Sequence, residues 1–234
     1  MVPDTKAEVD LLFSLNDLVG FSAKAKDFEA SVVDVFLERN SWQVSHLVLD
    51  TGGILENRLA VVPSSAISDV SPGERTLRVD LTKEKAEAQQ LLGGASLLED
   101  GDLSVLPELI FGADEETVTK AFFSTIGTQD QYFSFVAAAS SKAVNTSETI
   151  GSVIGFIVEA DTMTATHITV DTGITVPKSQ HVLPVSLVEE VGSTDSETVL
   201  AVDKKKLGES PELEQFDGLD RHWIDRVASY YGLS

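Results

Sequence analysis

The sequence predicts a mainly β fold: two small β-barrels in tandem, with short helices in the linker and at the C-terminus. Three observations carry this expectation. Ser31 to Val70 aligns without a gap on Ser152 to Val191, an offset of 121 residues, so one structural unit occurs twice. Within each copy apolar residues recur with period two, the mark of half-buried strands. The apolar runs are short and punctuated by Gly, Pro, Asp, Asn and Ser, and closing many short strands into a barrel removes their exposed edges.

The elements follow in order. In the first copy Val33, Val35 and Leu37 alternate with Val32, Asp34 and Phe36, and Gln43, Ser45, Leu47 and Leu49 alternate with Trp42, Val44, His46 and Val48. Arg39-Asn40-Ser41 supplies a polar hairpin turn between them, matched by Ala160-Asp161-Thr162. The second strand ends in Asp50-Thr51-Gly52, repeated as Asp171-Thr172-Gly173, where glycine permits the positive φ of a reversal. A third strand, Leu59 to Val62, stops at Pro63, which cannot donate to a ladder. Shorter strands at Ile67 to Val70 and Thr76 to Asp80 complete the copy. Thr82 caps a helix through Leu92 that Gly93-Gly94 ends, and a second short helix spans Asp114 to Phe123. Near the C-terminus Asp220 caps a helix whose Trp223, Ile224, Val227, Tyr230 and Tyr231 share one side, with Gly232 as its stop. The expected domains are residues 1–92 (first barrel with trailing helix), 93–130 (connector), 131–211 (second barrel) and 212–234 (helical tail).

Charge narrows the function classes. The 234 residues hold 38 acids against 17 bases, a formal charge of -21, which repels phosphate backbones and anionic membrane surfaces, so no nucleic-acid partner is expected. The longest apolar stretch, Ile150 to Val158, is interrupted by glycine and serine and falls far short of the ~20 residues that span a bilayer, so no membrane insertion is expected. The opening MVPDTKAEVDLLF lacks the basic start and apolar run of an export signal. The absence of cysteine removes thiolate, disulfide and Cys-ligated metal chemistry and fits a reducing cytoplasm, the expected location. None of the four histidines stands near another at ligand spacing, and His46 and His167 are repeat equivalents beside apolar neighbours on a strand, as hydrogen-bonded structural histidines are. Ser64 and Ser65 lack a nucleophile-elbow context, and Gly52-Gly53 and Gly93-Gly94 are too short to cradle a phosphate. No catalytic, cofactor-binding or metal residue is assigned.

The pattern "SVVDVFLERNSWQVSHLVLDTG", followed by "LAVVPSSAISDV" and "RVDLTKE", resembles the PRC-barrel family, a module found in the photosynthetic reaction-centre H subunit and in a ribosome-maturation factor. The second copy, "SVIGFIVEADTMTATHITVDTG", "HVLPVSLVEEV" and "AVDKKKLGESP", is weaker but in register, as in bacterial proteins with tandem PRC barrels, which also tend to end in an aromatic tail like "RHWIDRVASYYG". The resemblance implies a non-catalytic module that binds a protein partner or copies of itself.

One enzymatic reading competes. Two D-T-G triplets in a two-lobed chain also resemble pepsin-like peptidases, in which Asp50 and Asp171 would share a proton and activate water. Against it, Gly53 and Ile174 stand where a small hydroxyl residue usually follows, and the apolar-apolar-glycine partner motif occurs only as Leu91-Leu92-Gly93. The expectation is therefore a protein-binding or assembly module, not an enzyme, forming a homodimer in which the C-terminal helix packs on its own or its partner's barrel.

Overall fold

The computed structural model of the chain describes residues 12–52, 59–85, 110–112, 114–126, 128–173, 180–192, 197–213 and 221–233. The strands of the first half are β1 (Leu12–Ser14), β2 (Ser22–Lys24), β3 (Glu29–Glu38), β4 (Val44–Asp50), β5 (Leu59–Pro63), β6 (Ile67–Ser71), β7 (Thr76–Val79) and β8 (Ile110–Gly112). Those of the second are β9 (Tyr132–Ser134), β10 (Lys142–Val144), β11 (Thr149–Glu159), β12 (Thr164–Asp171), β13 (Gln180–Pro184), β14 (Val188–Glu190) and β15 (Glu197–Leu200). Helices are α1 (Leu15–Leu18), α2 (Glu115–Thr125), α3 (Phe135–Ala138), α4 (Lys204–Gly208) and α5 (Arg221–Tyr231).

The two halves share one strand order, β6-β7-β2-β3-β4-β5 in the first and β14-β15-β10-β11-β12-β13 in the second, each half in its own sheet. Even the irregularities repeat. β3 and β4 shift register between Val32 and Asp34 and again between Phe36 and Leu37, and β11 and β12 shift at the equivalent Val153/Gly155 and Ile157/Val158. A bulge inserts an unpaired residue, so side chains beyond it change face. Val32 and Val35, three apart, thus both reach the main core, while Phe36 turns to the opposite side of the sheet. Among the described residues no ladder joins β5 to β6 or β13 to β14, so neither path closes on itself, and β8 extends the first beyond β5.

The halves trade their first strands. β1 pairs with β11 of the second half, and β9 pairs with β3 of the first. On β3, β9 takes at Phe36–Glu38 the edge that β2 occupies at Glu29–Ser31. Each entering strand thus completes the other half's long hairpin, and one core runs through both halves, from Phe13, Leu15 and Leu18 to Phe133, Phe156 and Ile168.

Helices cover the outer faces. Asp114 caps α2 by accepting from Thr117 N at 2.8 Å, and α2 lays Val118 and Phe122 over Phe36, Val48, Leu59 and Val61 to form a second, smaller core. The Phe36 and Phe122 rings stack with centroids 3.9 Å apart. On the second half, α5 packs against β13 and buries Trp223, Val227 and Tyr231, with Asp225 and Arg226 exposed and Gly232 closing it at φ 76°. Of the two placements expected for this stripe, on its own barrel or a partner's, the helix takes its own half.

Other expectations shift in detail. The hairpin turn runs through Trp42, which takes φ 60°, so the next strand starts at Val44 rather than at Trp42. The connector contributes more than a helix, because β8 adds an edge strand to β5. Lys85 N donates to Thr82 Oγ1, as a cap at Thr82 requires. The rest of that helix, Gly93-Gly94 and Asp220 lie outside the described residues. No helix among the described residues is long and apolar enough to cross a membrane.

Candidate functional site at the junction of the halves

The junction is built on the turn after β3 and its repeat equivalent after β11. Gln43 and Thr164, themselves repeat equivalents, form an isolated antiparallel bridge. Val44 N donates to Met163 O at 2.8 Å, and Ala165 N donates to Trp42 O at 2.9 Å. Exchanging the copies maps each bond onto the other, so a local pseudo-two-fold axis passes between Gln43 and Thr164. The traded strands obey it too, since Phe13 opposes Val158 and Phe133 opposes the equivalent Leu37. Trp42 and Met163 both hold left-handed backbone, φ 60° and 51°, which is unfavourable for bulky residues and persists where surrounding contacts over-determine it. Trp42 is held against Phe133 and Phe156, with centroids 5.7 and 6.1 Å away.

Each turn borders a groove against the other half. The first, about 500 Å³, is lined by Arg39, Phe123, Asp130, Phe133, Glu190 and Val191 among others. Arg39 fills part of it. Its Nε donates to Gln129 O at 2.6 Å and its Nη1 to Val191 O at 2.8 Å, and the guanidinium lies 5.5 Å from the Phe133 ring centroid. Burial lowers its pKa, while the carboxylates Glu190 and Asp130 oppose that shift. The second groove, about 580 Å³, is lined by Ile67, Ser68, Asp69, Val70 and residues 160–163 among others, and shares with the first the equivalent positions Arg39/Ala160, Glu190/Asp69 and Val191/Val70. There Ala160 replaces Arg39, Asp161 replaces Asn40, and Asp69 and Val70 stand for Glu190 and Val191.

Ser134 and Ala137, which line the first groove, also line a separate pocket of about 380 Å³ that holds the buried carboxylate of Asp34. Asp34 Oδ1 accepts from Val35 N at 2.7 Å and Val136 N at 3.0 Å, and Oδ2 accepts from Ser134 Oγ at 2.6 Å. Two of these three donors belong to the traded segment of the other half. Burial pushes the Asp34 pKa up to about 6, against the lowering by its three donors. The equivalent position is Gly155, and there Asn16 closes in instead, donating through Nδ2 to Ile154 O at 2.6 Å.

The residues singled out in the sequence are not brought together. Asp50 and Asp171 end β4 and β12, which leave the Gln43–Thr164 bridge in opposite directions, so the two carboxylates sit at outer ends of different sheets. Each folds back on its own turn, Asp50 Oδ1 accepting from Gly52 N and Asp171 Oδ1 from Gly173 N, both at 2.8 Å. His46 and His167 are buried under the covering helices. The His46 ring lies 5.0 Å from Phe122 and its Nδ1 is 2.8 Å from Ser45 Oγ. His167 lies 6.1 Å from Trp223, with Nδ1 3.0 Å from Thr166 Oγ1, and burial lowers its pKa to about 4. His181 is buried with Nδ1 3.2 Å from Ser210 Oγ. Ser64 and Ser65 line the second groove. No group of three or more His, Asp or Glu among the described residues is placed to hold a metal.

Sequence reasoning missed Arg39, Asp34 and Asn16. The signal that finds them is the repeat read for its differences: Arg39 against Ala160 and Asp34 against Gly155 are charge changes within otherwise matched strands and turns.

No protein-family model matches the chain, and no curated protein matches it.

Proposed function

We propose that the chain is a non-catalytic protein-binding module built on two PRC-type barrels, with each six-strand path curling toward closure and the grooves at their junction as the contact surface. The observation that carries this reading is the use of the chemically suggestive side chains as structure. Both D-T-G aspartates brace their own turns, at opposite ends of strands that diverge, whereas a shared-proton dyad needs two carboxyls within hydrogen-bond reach of one water. The buried histidines likewise pack beneath helices. The junction grooves are open to a partner, the first with aromatic, hydroxyl and carboxylate groups on its walls and the second with hydroxyl, carboxylate and aliphatic groups.

The test is incubation of the full chain with denatured protein from about pH 3 to about pH 6, the range in which aspartic dyads work. No cleavage is expected, and Asp50→Asn and Asp171→Asn should differ from the parent only in stability. Cleavage that disappears in both variants would overturn the reading.

A further inference from the structure

Resting on the reading of the chain as a protein-binding module, we infer that the second groove, between β6 and the Ala160–Met163 turn, seats an arginine side chain from an exposed basic segment of a partner protein. The argument is the pseudo-symmetry of the junction. The first groove already holds a guanidinium, that of Arg39, bonded to the Val191 carbonyl and attracted by Glu190. In the second groove the acidic and apolar side of that seat recurs without the cation, while among the described residues the counterparts of the Gln129 acceptor and the Phe133 ring do not line it. Asp69 and Val70 stand where Glu190 and Val191 do, Ala160 leaves the place of the arginine side chain unfilled, and Asp161 adds a carboxylate where the first turn has the neutral Asn40. None of the described residues lining this groove is basic.

The chemistry selects one ligand class. Asp69 and Asp161 favour a cation, and the planar guanidinium is the group that pairs with carboxylate and carbonyl oxygens together and tolerates apolar contact on its faces, here from Ile67 and Met163. Asp69 Oδ2 accepts from Ser71 Oγ at 3.2 Å, which fixes the carboxylate at the groove wall. An ammonium matches less well, because it presents a compact and strongly hydrated point charge. The overall charge of -21 draws basic segments to the surface, and the groove decides where an arginine lodges.

The experiment titrates isotope-labelled full-length protein with the peptide acetyl-Gly-Ser-Arg-Ser-Gly-amide, and with its citrulline counterpart, at near-physiological ionic strength, following backbone amide shifts by NMR. Saturable shifts are expected at residues 68–70 and 160–163, with affinity about tenfold lower or worse when neutral citrulline replaces arginine. Ala160→Arg, which supplies the side chain from within, and the pair Asp69→Asn/Asp161→Asn should each abolish the response. The control pair Glu29→Gln/Glu148→Gln, which removes the same charge from exposed sites, should change affinity by less than about twofold. Shifts scattered over the acidic surface, equal losses in the two neutralised pairs, indifference to Ala160→Arg, or no shifts at all would overturn the inference. Mass spectrometry of the recovered peptide separates the two levels. A cleaved peptide refutes the non-catalytic reading, whereas an intact peptide that ignores the groove refutes only the arginine seat.

Discussion

Replacing Asp34 by Asn should change how stability depends on pH, and the size of the change follows from the carboxylate's surroundings. Its pKa is raised from 3.8 to about 6, with burial outweighing three hydrogen bonds. At ~1.4 kcal/mol per unit, the displacement is worth roughly 3 kcal/mol between the two protonation states. The folded state therefore binds more protons than the unfolded state between about pH 4 and about pH 6, so this group's contribution to stability is lost as pH rises through that window and is flat above it. About half the effect, ~1.4 kcal/mol, falls between about pH 5 and about pH 7.5. The parent protein alone will not reveal it. His167, lowered from 6.5 to about 4 by burial, acts with opposite sign over nearly the same range, since its contribution is lost as pH falls. The comparison with Asp34→Asn isolates the carboxylate. Asn can keep an acceptor toward Val35 N and Val136 N and turn its amide N–H toward Ser134 Oγ, so the traded segment stays seated. Urea unfolding followed by tryptophan fluorescence should show the stability of the parent relative to Asp34→Asn falling by ~1.4 kcal/mol between those two pH values. A constant difference would mean that the carboxylate is not buried in the clamp. A difference that grows in the parent's favour would mean that the three donors outweigh desolvation.

Four further substitutions probe the architecture. Trp223→Ala should cost about 3–5 kcal/mol, because the ring is buried between α5 and the sheet, and an unchanged melting temperature would show that α5 is not packed there. A Cβ at Gly151 would come within 2.4 Å of the Asp171 carbonyl oxygen, so Gly151→Ala should destabilise by about 1–3 kcal/mol. A Cβ at Gly155 instead meets the Asn16 side chain at 2.0 Å, so Asn16→Ala should rescue Gly155→Ala with a coupling of at least about 0.5 kcal/mol, and additivity would mean that α1 does not rest on β11.

The strands and the outer helices were legible in the sequence because their determinants are local. Sequence pattern located β4, β5, β6 and β7 to within a residue or two and β3 to within three, since β3 starts at Glu29, and Asp114 and Gly232 marked the ends of α2 and α5 as caps do. The trade of β1 and β9 was not legible. A strand of three residues, Leu12–Ser14 or Tyr132–Ser134, is too short to show a period, and its partner lies more than a hundred residues away. The repeat also changes step there. Phe13 matches Phe133 and Ser14 matches Ser134 at an offset of 120, while Ser31 matches Ser152 at 121. The extra residue appears as the register shift between Ala143 and Val144, so an ungapped comparison begun at Ser31 stops short of the traded strand. Asp34 was hidden for another reason. On a strand read as one-sided, an acid at an alternate position belongs to the solvent face, but this strand is covered on both sides, so the acid had to find donors instead.

The candidate site lies in the differences between the copies, and the trade of strands explains why it can. Were the two halves separate and identical, the axis through Gln43 and Thr164 would make the grooves identical, and any residue suited to one would appear in both. A single chain removes that constraint. Arg39 can fill one groove while Ala160 and Asp161 keep its mate open and acidic, and Asp34 can clamp one traded strand while Asn16 secures the other. Because each half supplies a strand to the other's sheet and one core runs through both, neither half can turn against its mate without breaking backbone pairing. The two grooves are therefore held in one fixed arrangement, and the inferred arginine seat predicts one arginine-bearing partner per chain at the junction, a stoichiometry that the peptide titration reads directly.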